Sequence, residues 1–135
     1  MESGIKEENP YERLYYKYKS IKDLIDKIKP DFVVLEEVHF NRNFKTFRLL
    51  AQMQGMILGI LMELDMGFTI IEPSTWRKFV GIKDRKREDQ KKSAIARAKD
   101  IFVLDGLTDD EAEAILIGCW AIRNLYKKEQ REMVS

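Results

Sequence analysis

One cysteine, one histidine and three prolines are all that this chain of 135 residues contains of those types. A lone Cys119 excludes an internal disulfide and every cysteine-based zinc spacing, and leaves the thiol as a small apolar group in the last expected helix. A lone His39 excludes a multi-histidine metal site, and reads more readily as a solvent-side or capping group than as a ligand. Long hydrophobic runs are scarce too. Leu49 to Met62 is very apolar, but it is too short to span a bilayer and contains Gln52 and Gln54. The first residues carry no apolar signal segment. No membrane association is expected, and a cytoplasmic protein is the default.

What remains is globular in character. Hydrophobic residues make up 44% and charged residues 35%, enough for one domain with its own core over 1–135. The net charge of +1 hides a local asymmetry. Ten Lys or Arg face three acids from Trp76 to Lys99, whereas six acids and no Lys or Arg occupy Asp100 to Ile122. A basic stretch beside an acidic one suits an enzyme that grips a polyanion and cuts it with bound metal.

The three prolines punctuate the chain. Asn9 caps a first helix with Pro10 at its first position and Glu12 at its third. Leu14, Tyr18, Ile21, Ile25 and Ile28 form its apolar stripe, and Pro30 ends it. Phe32 to Val38 reads as a strand buried on both faces. Asn41 or Asn43 caps a second helix running to about Asp65, with Phe44, Phe47, Leu50, Met53, Ile57 and Leu61 apolar. Ala51, Gly55 and Gly59 recur every four residues along it. Two readings fit: a core helix packed on the sheet, or a helix that also forms a dimer seam through that small-residue track. Phe68 to Glu72 is a second buried strand, stopped by Pro73. Ser74 or Thr75 caps a short helix through Val80, closed by Gly81. A charged loop, Lys83 to Arg87, leads into a helix from about Glu88 to Phe102, with Ala94, Ile95, Ala98 and Phe102 inward. Asp105-Gly106 turns the chain. Thr108 and Glu111 then form a capping box on the last helix. The alternation predicts an α/β fold, yet two strands make a poor sheet, and the strand at Glu36 calls for something to pair with its apolar edge.

Glu36 stands out within its strand. A carboxylate there is costly to desolvate unless it is paired or binds a metal. The acids Asp109, Asp110, Glu111 and Glu113 open the last helix far along the chain. An acid on a strand with acids at a helix start suits divalent-cation binding. The plainer alternatives are a partly exposed strand-end carboxylate for Glu36 and stabilisation of the helix dipole for Asp110. Asp110 and Glu113, three apart, are neighbours on one helix face. Asp109 and Glu111 read as capping or solvated groups. Arg77, Lys78, Lys91 and Lys92 are candidate phosphate contacts, against the alternative of a solvated basic face. Arg85, Lys86 and Arg87 read as looser, salt-sensitive contacts to the backbone of a polyanion. Trp76 is expected in the core beneath the basic turn.

Lys29 to Val38, Glu72 to Lys78, Lys91 to Ala94 and Asp109 to Ala114 together resemble the RuvC-type Holliday junction resolvases of the ribonuclease H-like nuclease group, phage or small bacterial members above all. The resemblance covers about Ser3 to Leu125. It implies a crossover junction endodeoxyribonuclease that cuts four-way or other branched DNA by phosphodiester hydrolysis, as a homodimer, with Mg2+ (or Mn2+), in a bacterial or phage-infected cell. By position it implies Glu36, Asp110 and Glu113 as metal-binding catalytic carboxylates, with Glu113 where the family usually has Asp. It implies Lys92 as the lysine near the scissile phosphate and Phe40 as an aromatic that wedges at the junction. The family's first acid, an Asp on an N-terminal strand, has no counterpart. Met1 to Lys6 looks like the tail of the third strand. The expected fold is therefore α/β, ribonuclease H-like, lacking most of the first three strands, with two parallel strands and flanking helices. The competing expectation is a noncatalytic DNA-binding or dimerisation module that keeps the fold.

Overall fold

A computed structural model describes residues 9–40 and 42–126. The expected strand tail at Met1 to Lys6 and the alternative cap Asn41 lie outside the described residues. The elements run α1 (Pro10–Ile28), β1 (Val33–Glu36), α2 (Phe44–Glu63), β2 (Phe68–Ile71), α3 (Pro73–Phe79), α4 (Arg87–Phe102), α5 (Asp109–Ala121) and a π-helical turn, Ile122–Tyr126. Two compact units result. The first joins Met1–Val33 to Val38–Thr69, and the second joins Val34–Glu37 to Ile70–Ser135.

Among the described residues the sheet has two strands. Val33 N–H donates to the Gly67 carbonyl at 3.1 Å, and Glu37 N–H to the Ile71 carbonyl at 2.9 Å. Both partners advance by four residues, so the strands are parallel. All four β1 residues are half-buried, not sealed on both faces as the run of apolar residues predicts. With one neighbouring strand described, an apolar strand has less to pack against.

In the first unit the Asn9 side chain accepts from Glu12 N–H at 2.8 Å, and Lys29 closes α1 in the left-handed region at φ 51°. Asn43 caps α2 by accepting from Thr46 N–H. The expected core helix is only partly realised, since Ile60 and Leu61 alone in α2 are buried. Phe44, Leu49, Leu50 and Met62 are exposed. Ala51, Gly55 and Gly59 are exposed too, and a Cβ added at either glycine meets nothing within 4 Å. Gly67 differs: a Cβ there would come to 3.0 Å from the Phe32 ring, a close approach that only glycine permits without shifting the ring.

The second unit holds the larger core. Ile71, Trp76, Val80, Ile82, Ala94, Ala98, Ala112 and Leu116 cluster together. The alanines of α4 and α5 let these helices approach closely. Pro73 takes the first position of α3, with Glu72 at the cap, so the cap precedes the expected Ser74 or Thr75. Proline's fixed φ suits a first helical residue, and its missing N–H needs no partner there. Helix α4 ends at Val103 in the left-handed region. Phe102 is 45% exposed rather than inward, because the helix unwinds directly after it. Thr108 and Glu111 complete the expected capping box on α5. Among the described residues no helix is long and apolar enough to cross a membrane.

Candidate functional site

The second unit brings the chemistry-bearing side chains of β1, α3, α4 and α5 together. Strand β1 ends on Glu36, and Trp76 on α3 is fully buried. The Trp76 indole Nε1–H donates to Glu36 Oε2 at 2.6 Å. A half-buried carboxylate thus receives a fixed donor, which compensates part of its desolvation. The next residue, Arg77, lays its guanidinium over the Trp76 ring at 5.2 Å from the centroid. That packing orients the side chain toward α5, where Arg77 Nη2 lies 3.9 Å from Glu113 Oε2. Arg77 Nε is buried and has no acceptor among the described residues.

Glu113 is the best-held acid. It is 7% exposed, the one buried charged residue in the described core. Arg87, the first residue of α4, grips it with two bonds: Nη1 to Oε2 at 2.6 Å and Nη2 to Oε1 at 2.8 Å. This fork-to-fork geometry is the strong form of the arginine–carboxylate pair. The Arg87 guanidinium is held above its ordinary range, first by its hydrogen bonds to Glu113. The charges of Glu113, Glu36 and Asp109 act in the same direction, and burial pushes the other way. Three carboxylates therefore lie within electrostatic reach of one guanidinium. Lys91, one turn further along α4, reaches Asp109 at 3.7 Å.

The expected residues separate into those the fold brings together and those it does not. Glu36, Arg77 and Glu113 join one network through Trp76 and Arg87, and Lys91 pairs beside it with Asp109. Arg87, read from the sequence as a loose backbone contact, is instead its most firmly bonded cation. Asp109, read as a cap or solvated group, is half-buried and paired, whereas Asp110 is exposed. Helix geometry explains the difference in exposure. At 3.6 residues per turn, Asp109 falls on the arc of Ala112, Glu113 and Leu116, while Asp110 lies about 100° round the helix. The i, i+4 spacing of Asp109 and Glu113 on the side of buried Ala112 was the signal available in the sequence. Lys78, Arg85, Lys86 and Lys92 are exposed. Phe40 is 78% exposed and its ring lies tilted against that of Phe47, with centroids 5.6 Å apart.

As these side chains stand, they do not fit a divalent ion. Among the described residues no group of three or more His, Cys, Asp or Glu side chains is placed to hold one. Both Glu113 oxygens are engaged by Arg87, and Glu36 Oε2 by the indole. The Arg87 guanidinium is the closest balancing charge to Glu113 among the described residues.

Known proteins share this arrangement of elements. Residues 1–121 match the family described as "Lactococcus phage M3 protein". Crossover junction endodeoxyribonuclease RuvC from Dictyoglomus thermophilum is 31% identical over 119 residues, which are 87% of this chain and 72% of that protein. The chain belongs to the RuvC family. Its Dictyoglomus turgidum counterpart is 29% identical over the same shares. Among solved structures, Thermus thermophilus RuvC in complex with Holliday junction substrate aligns with a TM-score of 0.67 over 86% of this chain and 71% of that one. Identity to that structure is 15%, so it speaks for the ribonuclease H-like fold alone. The resemblance drawn from the four sequence segments is borne out. The relatives carry the name of a crossover junction endodeoxyribonuclease.

Proposed function

We propose that the chain is a branched-DNA endonuclease, a RuvC-family resolvase that hydrolyses phosphodiester bonds at four-way junctions, with both units acting as one nuclease domain. The observation that carries this reading is the buried Glu113 gripped by Arg87, with Arg77 3.9 Å away and the Trp76–Glu36 bond beside it, in a chain of that family. Arg77 and Arg87 offer planar donor arrays suited to phosphate oxygens. The buried Arg77 Nε–H supplies a donor free of any acceptor among the described residues. Donors fixed in advance near a phosphate stabilise the charge that grows on it as water attacks.

The finer assignments belong to the same proposal. Glu36, Asp110 and Glu113 are its metal-binding catalytic carboxylates, with Mg2+ or Mn2+ as the ion. Lys92 is its lysine at the scissile phosphate, and Lys78, Arg85, Lys86, Arg87, Lys91 and Phe40 are its further DNA contacts. The geometry attaches one condition: Glu113 has to release Arg87 before a divalent ion can share its oxygens. A homodimer, two sites for two opposed strands, completes the reading, with α2 as its seam. The bacterial relatives and the phage family model support work inside a bacterial or phage-infected cell.

The deciding experiment incubates the protein with labelled four-way junctions and plain duplex in Mg2+. The expected result is paired cuts in the junction, absent in Glu36→Gln. Junction cleavage that survives Glu36→Gln at full rate refutes the assignment of Glu36. One specific observation favours a second reading: the lack of a three-acid group among the described residues suits a noncatalytic DNA-binding or dimerisation module. Tight junction binding without cuts in any divalent ion selects that module.

A further inference from the structure

Helices α1 and α2 pack against each other in the first unit and leave a cleft of about 650 Å3. Four cations line it: Arg13 and Lys17 from α1, Lys45 and Arg48 from α2. No acid lines it. Among the described residues no carboxylate pairs with Arg13, Lys17 or Lys45, and Arg48 reaches only the Tyr11 hydroxyl, its Nη2 donating at 3.3 Å. Four like charges around one cleft repel one another, and an anion relieves that repulsion. The floor is of another kind. Leu14 and Leu49 supply apolar surface, and Tyr11 adds a ring that is 63% exposed.

Small inorganic anions have no use for an apolar floor. A ligand that alternates charge with a flat apolar body uses both features, and a nucleic acid strand does so at every residue. The volume falls within the ordinary span of ligand sites, about 300–1,000 Å3, and suits one or two nucleotides. Outside the cleft, α1 continues the same alternation. Tyr15 and Tyr18 stack with centroids 6.2 Å apart, and Lys19 and Lys22 lie over their faces at 5.7 and 5.6 Å. Rings that take bases beside cations that take phosphates make a surface for an unpaired strand.

The geometry points to a second DNA-contact surface in the α1–α2 cleft, which binds a single-stranded segment of the substrate through Arg13, Lys17, Lys45 and Arg48 and stacks a base on Tyr11. It rests on the DNA-directed reading above for the identity of the polymer, and adds a place in the first unit that the acid network does not touch. A four-way junction can be paired throughout, so a strand held here is one opened at or beside the branch point.

Fluorescence anisotropy of the full chain with a labelled oligothymidylate and with a four-way junction, across a salt series, tests it. Lys45→Ala/Arg48→Ala should flatten the slope of log K against log salt for the single strand by about 1.4, at roughly 0.7 per phosphate contact. Arg48→Lys, which keeps the charge, should leave the slope alone. Tyr11→Ala should weaken single-strand binding about tenfold, the scale of one lost base stack, and Tyr11→Phe should not. Unchanged helical circular dichroism in each variant shows that the fold is intact. Wild-type binding with the same slope in the double variant and the same affinity in Tyr11→Ala overturns the cleft and leaves the nuclease reading standing. A wild-type chain that binds neither DNA overturns both.

Discussion

Replacing Arg87 with alanine tests the site most directly, because the two partners of its ion pair are buried to such different degrees. The Glu113 side chain is 9% exposed and the Arg87 side chain 44%. Arg87→Ala leaves a buried carboxylate with only Arg77, 3.9 Å away, to balance it. A fully buried pair broken on one side loses about 3–5 kcal/mol, and an exposed pair about 0–1 kcal/mol. With one partner partly in water and a second cation nearby, about 2–3 kcal/mol is expected between those limits. For a chain of this size that lowers the melting temperature by about 10 °C. Glu113→Gln should lose less, about 1 kcal/mol, because Arg87 can turn toward water and glutamine still accepts one bond. The loss in the double variant should fall short of the sum of the two, since both remove the same contact. Thermal unfolding by circular dichroism reads all three. Arg87 gains pKa on folding, so this stabilisation is fully present below the unfolded value and fades only as pH rises through the folded one. The alkaline limit lies beyond working pH, and the Arg87→Ala loss should therefore be the same at pH 6 and pH 9. Mg2+ should stabilise Arg87→Ala more than the parent, because an ion that binds only the folded state raises its stability and Glu113 is then unoccupied by a guanidinium. A melting temperature within a degree of the parent, or an equal Mg2+ response in both, refutes the reasoning.

Other outcomes follow from neighbouring contacts. Trp76→Phe removes the donor to Glu36 and should destabilise by about 1–3 kcal/mol; an unchanged urea midpoint argues against that bond. Hydrogen bonds to Thr108, the backbone bond first, hold the Glu111 carboxyl below its usual range. The stabilisation it gives is present above the ordinary carboxylate pKa and is lost as pH falls through the lowered one. Glu111→Gln keeps the capping geometry without the titration, so stability should vary less between pH 5 and pH 3, and an identical acid profile contradicts this. Gly55→Leu fills the open track on α2 and should shift a dimer toward monomer; the same sedimentation profile in both proteins removes α2 as the seam.

Much of the framework was legible because it depends on local chemistry. Asn9, Asn43 and Thr108 cap helices through their own side chains, and Pro10, Pro30 and Pro73 mark boundaries through a fixed φ and a missing donor. The family resemblance was legible through the order of four short segments. Arg87 was not, because a cation at the end of a charged loop looks the same whether it faces water or a buried acid 26 residues later. The pairing of Asp109 with Lys91 was not legible either, because Asp109 and Asp110 suit a first helical turn equally and only the direction of the packed face separates them. The α1–α2 cleft was not visible at all, since Lys45 and Arg48 are distant in sequence from Arg13 and Lys17.

Sequence alone determined most helix ends, though not the start of α3, and also which segments are apolar and the family to which the chain belongs, since each follows from residues within a few positions or from their order. Tertiary structure decided the pairings: which cation meets Glu113, which donor meets Glu36, and which four cations share a cleft. Those pairings depend on the angles at which α1 packs on α2 and α4 on α5, and such angles are set by side-chain packing rather than by any local pattern of residues.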